Sequence, residues 1–274
     1  VHAAHRLCVL EGQQTIHMKK NTLSWLGKAS LLAMVLAAGF HANASVVISG
    51  TRVIYNAGER ESTLKLSNKG KEPALTQVWV DNGEANAAPT TVKVPFTVTP
   101  PVTRIDPDKA QTLRIFYTGE PLAKDKESVF WLNVLEVPPK PVADAGQPDP
   151  NYLQFAIRSR IKLFFRPQGL KGTAEGAPGQ LEWQLLKTGA TWAIDVRNPT
   201  AYHVSFANLD AVAGGKHAVF DEGGMVAPGE TQRFPLKGDI PAGVDAKVHY
   251  RAINDYGGIS EGDAPLTQAG TIAK

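Results

Sequence analysis

Cysteine is all but missing from this 274-residue sequence, and the only one is Cys8. A single cysteine near the start leaves no internal disulfide and no thiolate metal site. Histidine is scarce too: beyond position 44 only His203, His217 and His249 occur, at spacings that do not suit zinc. There is no phosphate-cradling glycine loop, no low-complexity run and no short tandem repeat. Nothing here implies a cofactor or a metal. Net charge is also missing from the main body. Arg6, Lys19, Lys20 and Lys28 fall in the first 44 residues, leaving 25 of the 29 basic side chains beyond them, and Glu11 leaves 25 of the 26 acidic ones. A balanced chain gives no electrostatic argument for nucleic acid.

Long apolar runs are equally rare, and the exception is near the start. Residues 18–44 read MKKNTLSWLGKASLLAMVLAAGFHANA. A basic start, a short apolar core over Leu31–Phe40 and a small-x-small end make a secretory signal peptide, with cleavage expected after Ala44. A membrane anchor is the competing reading, but spanning needs about 20 apolar residues, and this run is about half that. Residues 1–17 precede a good start methionine, Met18, and read as upstream sequence. The remainder, 45–274, is long enough for two domains of ordinary size.

What this remainder has in abundance is period-two alternation cut by turn residues. Val53-Ile54-Tyr55 stops at Asn56-Ala57-Gly58, and Leu64 and Leu66 alternate before Ser67-Asn68-Lys69-Gly70. Val78-Trp79-Val80, Leu113 to Tyr117 and Val129 to Val137 follow in the same style. This density of short strands predicts an all-β, immunoglobulin-like sandwich. Arg166-Pro167-Gln168-Gly169 and the Gly- and Pro-rich stretch 172–179 predict a boundary, giving domains 45–168 and 169–274. The second half repeats the pattern, with Trp192, Ile194 and Val196, then Tyr202, Val204 and Phe206, then Val248, Tyr250 and Ala252.

One strand is too long. Residues 151–166 read NYLQFAIRSRIKLFFR, and every second residue from Leu153 to Phe165 is apolar except Ser159. Strands rarely exceed about 10 residues, and at roughly 3.3 Å per residue this one predicts a reach of about 50 Å. It leaves a proline-rich loop, PPKPVADAGQPDP, which predicts mobility. The overhanging half has no obvious partner in its own domain.

At this point the residues resemble a known family, the periplasmic chaperones of chaperone–usher pili. TRVIYNAGERESTLKLSN, TPPVTRIDP, LAKDKESVFWLNVLEVP, IKLFFRP and INDYGG carry the likeness, which covers nearly all of 45–258. The resemblance implies two immunoglobulin-like β-sandwich domains arranged in an L with a cleft between them. It implies no enzyme and no cofactor, but a protein that binds pilus subunits, lends them a missing strand and delivers them to an outer-membrane usher. Strand addition of this kind is a general recognition mode, for which chaperone–pilin complexes are a standing example.

The resemblance also implies roles for named residues. Asn151, Leu153, Phe155 and Ile157 would enter the subunit groove, since residues two apart share a face and a one-residue slip would turn them all away. Arg52 and Lys162 would hold the subunit's C-terminal carboxylate through charge-assisted hydrogen bonds. Glu127, Arg166 and Asp255 would form an ion network between the domains. Pro100 or Pro101 is a candidate for a cis bond, although sequence alone favours trans. Two positions depart from the family habit: Phe165, where tyrosine is common, and Asp108, where glycine is. The lack of cysteines around the 138–150 loop resembles the short-loop type that builds rod-like pili.

Other readings stay in view. Gly258-Ile259-Ser260-Glu261-Gly262 fits the G-x-S-x-G of hydrolases, but that elbow needs a following helix, and no helical period follows. Trp183 and Trp192 would serve a secreted carbohydrate-binding or adhesive module if exposed, and the core if not. The unpaired apolar strand edge is an aggregation hazard, from which a transient homodimer of the free protein follows as a hypothesis.

Overall fold

The structure, a computed structural model, describes residues 45–86, 88–139, 154–189 and 191–268. The stretch 1–17 read as upstream sequence, the expected signal peptide 18–44 with its expected cleavage after Ala44, most of the proline-rich loop, and Asn151 and Leu153 lie outside the described residues.

The alternating runs of the first half become β1 (Val46–Ile48), β2 (Arg52–Asn56), β3 (Ser62–Asn68), β4 (Ala74–Asp81), β5 (Phe96–Thr99), β6 (Val102–Ile105), β7 (Ala110–Tyr117), β8 (Ser128–Val137) and β9 (Ile157–Arg166). They form a four-stranded sheet, β1-β3-β7-β5, and a five-stranded sheet, β2-β9-β8-β4-β6. One face of each strand fills the core: Val53 and Tyr55 from β2, Leu64 and Leu66 from β3, Val78 and Val80 from β4, Phe130, Leu132 and Val134 from β8, Leu163 and Phe165 from β9. Period two with one buried face is the signature of sheets packed face to face.

The second half contains β10 (Glu182–Thr188), β11 (Thr191–Arg197), β12 (Val204–Ala213), β13 (Lys216–Phe220), β14 (Gly224–Val226), β15 (Thr231–Gly238), β16 (Ala246–Ile253) and β17 (Ile259–Gln268). Its ladder runs β13-β15-β11-β10-β17-β16-β12-β14, and a further β13–β12 pairing closes it on itself. The two joining seams are short: β10–β17 through Gln184 and Leu185, and β13–β15 through Ala218 and Val219. A second core sits inside, with Trp183, Ile194, Phe206, Leu209 and Val248 buried. Both halves belong to one unit spanning Ala44–Lys274.

Four sequence expectations meet the structure here. The long strand begins at Ile157, not at Asn151, and Gln154 to Ala156 are outside any strand. The cause is the ladder: β8 ends at Val137, its last pair with β9 is Glu136↔Ile157, and an extended segment without a neighbour has no ladder to join. Among the two candidate prolines, the Thr99–Pro100 bond is cis. Asp108 takes a φ of 56° and donates its N–H to the Asn68 carbonyl at 3.1 Å. Aspartate is among the few residues that visit the left-handed region readily, so the loss of glycine is tolerated there. Phe165 packs among Tyr55, Phe96 and Tyr117, a buried site that a ring fills without a hydroxyl.

Candidate functional site

The edge of the five-stranded sheet is only half covered. β2 runs parallel to β9 and pairs Arg52↔Lys162 through Asn56↔Arg166. Its pairing begins at Lys162, so among the described residues Ile157–Ile161 is paired with β8 on one side and open on the other. Along β9 burial rises steadily, from exposed Ile157 and Arg158 to buried Leu163, Phe164 and Phe165. Phe155, just before the strand, is 68 % exposed, and Ile157 is 43 % exposed. Large apolar side chains on an unpaired edge are what sheets ordinarily avoid.

Where the open edge ends, two cations stand side by side. Arg52 and Lys162 are cross-strand neighbours on the face turned to the second domain. Arg52 Nη1 donates to the Ile253 carbonyl at 2.9 Å, and Lys162 Nζ donates to Ser205 Oγ at 3.0 Å. Both partners are neutral, and neither cation forms an ion pair among the described residues. Arg52 Nε is buried with no hydrogen-bond partner. Burial, and then the charge of Arg52, pull the Lys162 ammonium down to about 8. Burial likewise lowers the Arg52 guanidinium, against the pull of Asp255. Two desolvated like charges with spare donors fit an anion, and a carboxylate most simply.

Further along β9, Arg166 joins the two carboxylates that the family resemblance implies for it. Its Nε donates to Glu127 Oε1 at 2.6 Å, and its Nη1 and Nη2 grip Asp255 at 2.6 and 2.9 Å. Burial opposes the charge on Arg166, but the hydrogen bonds and charges of Asp255 and Glu127 outweigh it and raise the pKa. Glu127 turns its other oxygen to the second domain, accepting the His203 backbone N–H at 2.8 Å. Asp255 sits on the turn between β16 and β17. There Gly257 has a φ of 83° and lies so close to Thr51 that any Cβ would strike its hydroxyl. A cavity of about 330 Å³ opens beside this network, lined by Arg52, Phe164, Arg166, His203, Asp255 and Tyr256 among others.

The outward face of the same sheet holds a cluster that sequence reading does not anticipate. Asp81, at the end of β4, is fully buried although it points away from the core. Arg160 Nε donates to it at 2.9 Å and Asn133 Nδ2 at 2.8 Å. Burial would raise its pKa, yet the hydrogen bonds from Arg160, Asn133 and the Gly83 N–H hold it below the ordinary value. Arg158 reaches Asn133 Oδ1 at 2.7 and 2.9 Å. The two guanidinium groups lie over the rings of Trp79 and Trp131, at 4.8 and 4.7 Å. Alternation places all these side chains on one face, but no local pattern tells which will pair.

The remaining sequence candidates resolve simply. Trp183 and Trp192 are buried, so neither offers a sugar-stacking surface. Ser260 lies on strand β17, which runs to Gln268, and no helix follows it among the described residues. Among the described residues no group of His, Cys, Asp or Glu could hold a metal ion. Phe164, which alternation assigns to the polar face of β9, is buried against His203 and Arg52 because the second domain covers that end. His203 and Ser205, the second-domain side of the cleft, carry no sequence signal that separates them from ordinary strand residues.

Comparison with known proteins gives a consistent picture. A family model described as pili and flagellar-assembly chaperone, PapD N-terminal domain, matches residues 45–171. One described as pili assembly chaperone PapD, C-terminal domain, matches residues 176–264. The chaperone protein FimB/FhaD of Bordetella pertussis is 47 % identical over 247 residues, 88 % of this chain and 96 % of that protein. The YadV fimbrial chaperone of Escherichia coli K12 is 48 % identical over 226 residues, 81 % of this chain and 90 % of that protein. The crystal structure of YadV chaperone matches with a TM-score of 0.68 at 44 % identity, covering 81 % of this chain and 100 % of that one. The Salmonella enterica SafA pilin in complex with the SafB chaperone matches with a TM-score of 0.64 at 32 % identity, covering 81 % and 96 %.

Proposed function

The chain belongs to the pili-assembly chaperone family, a family of chaperones rather than enzymes whose fold is two immunoglobulin-like domains in an L, and from that premise we propose that it captures pilus subunits in the periplasm. The subunit lies along the open edge at Ile157–Ile161 and extends it by main-chain hydrogen bonds. Phe155 and Ile157, continued by Asn151 and Leu153, fill the subunit's groove. Arg52 and Lys162 hold its C-terminal carboxylate, and Glu127, Arg166 and Asp255 fix the angle between domains 45–168 and 169–274. Signal peptide 18–44 is removed after Ala44. The loaded protein then delivers its subunit to an outer-membrane usher, in the manner of the short-loop type.

The observation that carries this reading is the pair of desolvated, unpaired cations at the root of an open apolar strand edge. A fixed charge at one end sets the register of everything along the strand. The SafA–SafB complex, a pilin with a chaperone of the same fold, supports the occupant.

The test is co-expression of residues 18–274 with a pilin from the same genome, followed by native mass spectrometry of the periplasm. Wild type should give a one-to-one complex, and Lys162→Ala should lose roughly 2–5 kcal/mol of subunit binding while staying folded. A Lys162→Ala protein that binds normally would remove the carboxylate anchor. A folded wild type that binds no neighbouring pilin would remove the whole reading.

A further inference from the structure

Glu136 is a buried carboxylate without a cation. It is 8 % exposed, on the inward face of β8, at the end of the first core. Its Oε1 accepts the Ser45 hydroxyl and its Oε2 accepts the Val46 N–H at 3.1 Å. These are its only partners among the described residues, and both come from the first two residues after the expected cleavage point. The charged side chains on the surrounding elements at this end are Lys65 on β3, Lys69, Lys71 and Glu72 on the turn after it, Arg104 on β6, Asp106, Asp108 and Lys109 on the turn before β7, and Arg158 on β9. None of them pairs with Glu136, and Arg158 is committed to Asn133 on the opposite face. The cross-strand neighbours of Glu136, Thr76 and Ile157, are uncharged.

A buried carboxylate ordinarily has a counter-charge. We propose that Glu136 is the binding site for the α-ammonium group that removal of the signal peptide creates on Ser45. The Ser45 hydroxyl and the Val46 N–H already clasp both carboxylate oxygens, and the Ser45 nitrogen is three covalent bonds from each of these donor atoms, within reach of the carboxylate. Ser45 is further held by its carbonyl, which accepts the Lys69 N–H at 2.6 Å. In the precursor this nitrogen is a neutral amide; in the processed chain it carries a positive charge. Amine capture at a chain terminus is a known recognition mode. Here it lies inside one chain, directly beneath Ile157, where the open edge begins. The inference rests on cleavage after Ala44.

The experiment is a four-protein cycle, followed by thermal unfolding of the first domain. The chains begin at Ser45 or at Ala44, each with Glu136 or with Glu136→Gln, made by cleaving a fusion to leave the chosen first residue. With Glu136 present, the extra residue should lower the midpoint by about 3 °C or more at neutral pH. With Glu136→Gln the extra residue should make no difference. The α-ammonium, raised above its ordinary range of about 8 by Glu136, contributes stability below that range and loses it as pH rises through the bound value. The Ser45-start advantage should therefore vanish in alkali. Additive effects, or an advantage that ignores pH, overturn the proposal. Intact mass of the periplasmic protein separates the premises: a chain starting elsewhere than Ser45 overturns the cleavage reading, and with it the natural lock. A chain starting at Ser45 with additive effects overturns the lock alone.

Discussion

At the scale of single residues, the same chemistry is used in two opposite ways. Arg166 is a charge fully matched by two carboxylates, and removing it strands them. Arg166→Ala should cost about 3–5 kcal/mol, because Glu127 is left buried without its guanidinium partner. Calorimetry should show the loss, and small-angle scattering a wider range of interdomain angles. Arg52 and Lys162 are charges left unmatched. With the Lys162 ammonium at about 8, below its ordinary 10.5, two slopes follow. The unfolded chain binds more protons than the native one between these values, so the free protein gains stability as pH rises through that window. Capture of a carboxylate needs the charged form, so affinity falls as pH rises past about 8. Calorimetric titration in buffers of different ionisation enthalpy should show a proton taken up on binding near that pH. Equal uptake by Lys162→Ala would assign the proton elsewhere. Both pairings involve residues visible in the sequence through family motifs. Their second-domain partners, Ser205, His203 and the Ile253 carbonyl, were not visible, because a side chain's distant partner leaves no trace in local spacing.

At the scale of elements, β9 is two strands in one. Lys162–Arg166 has neighbours on both sides; Ile157–Ile161 has one. Hydrogen exchange should divide at Lys162, with the later amides protected and the earlier ones exchanging faster. The Asp81 cluster then gains a purpose. Arg158 and Arg160 reach across β8 from the half-covered segment and brace it to Asn133 and to β4. Asp81→Ala should speed exchange at Ile157–Ile161 more than at Lys162–Arg166, and unchanged exchange there would reduce the cluster to local packing. The alternation in residues 153–165 was readable because a period of two survives in any sequence with one buried face. Where the strand would begin was not, since that depends on the length of β8 and β2, elements far away in the chain. The burial of Phe164 is hidden for the same reason: period shows faces, not what covers them.

At the scale of the molecule, the two halves share a fold class and differ in closure. The second ladder returns on itself. Among the described residues, the first has a gap on one side of β9, beside which the outer strands are short: β1 has 3 residues, β2 has 5, and β5 and β6 have 4 each. An exposed edge of this kind invites a second copy. Sedimentation of the free protein over a range of concentrations should show a weak dimer that excess subunit dissolves; a monomer throughout would retire that hypothesis. Two all-β domains were legible from the turn-punctuated runs, because turn residues mark strand ends locally. Closure was not, since it rests on two short seams between distant residues. The closed ladder also has an arithmetic consequence. A molecule that docks subunits only along the half-covered side of β9, as proposed above, has a valence of one: it can end a chain of strands but cannot continue it. On that proposal, however concentrated the subunits become, each copy withdraws a single member from the pool, so the ratio of the two proteins, and not their total, would govern how much subunit is left to polymerise.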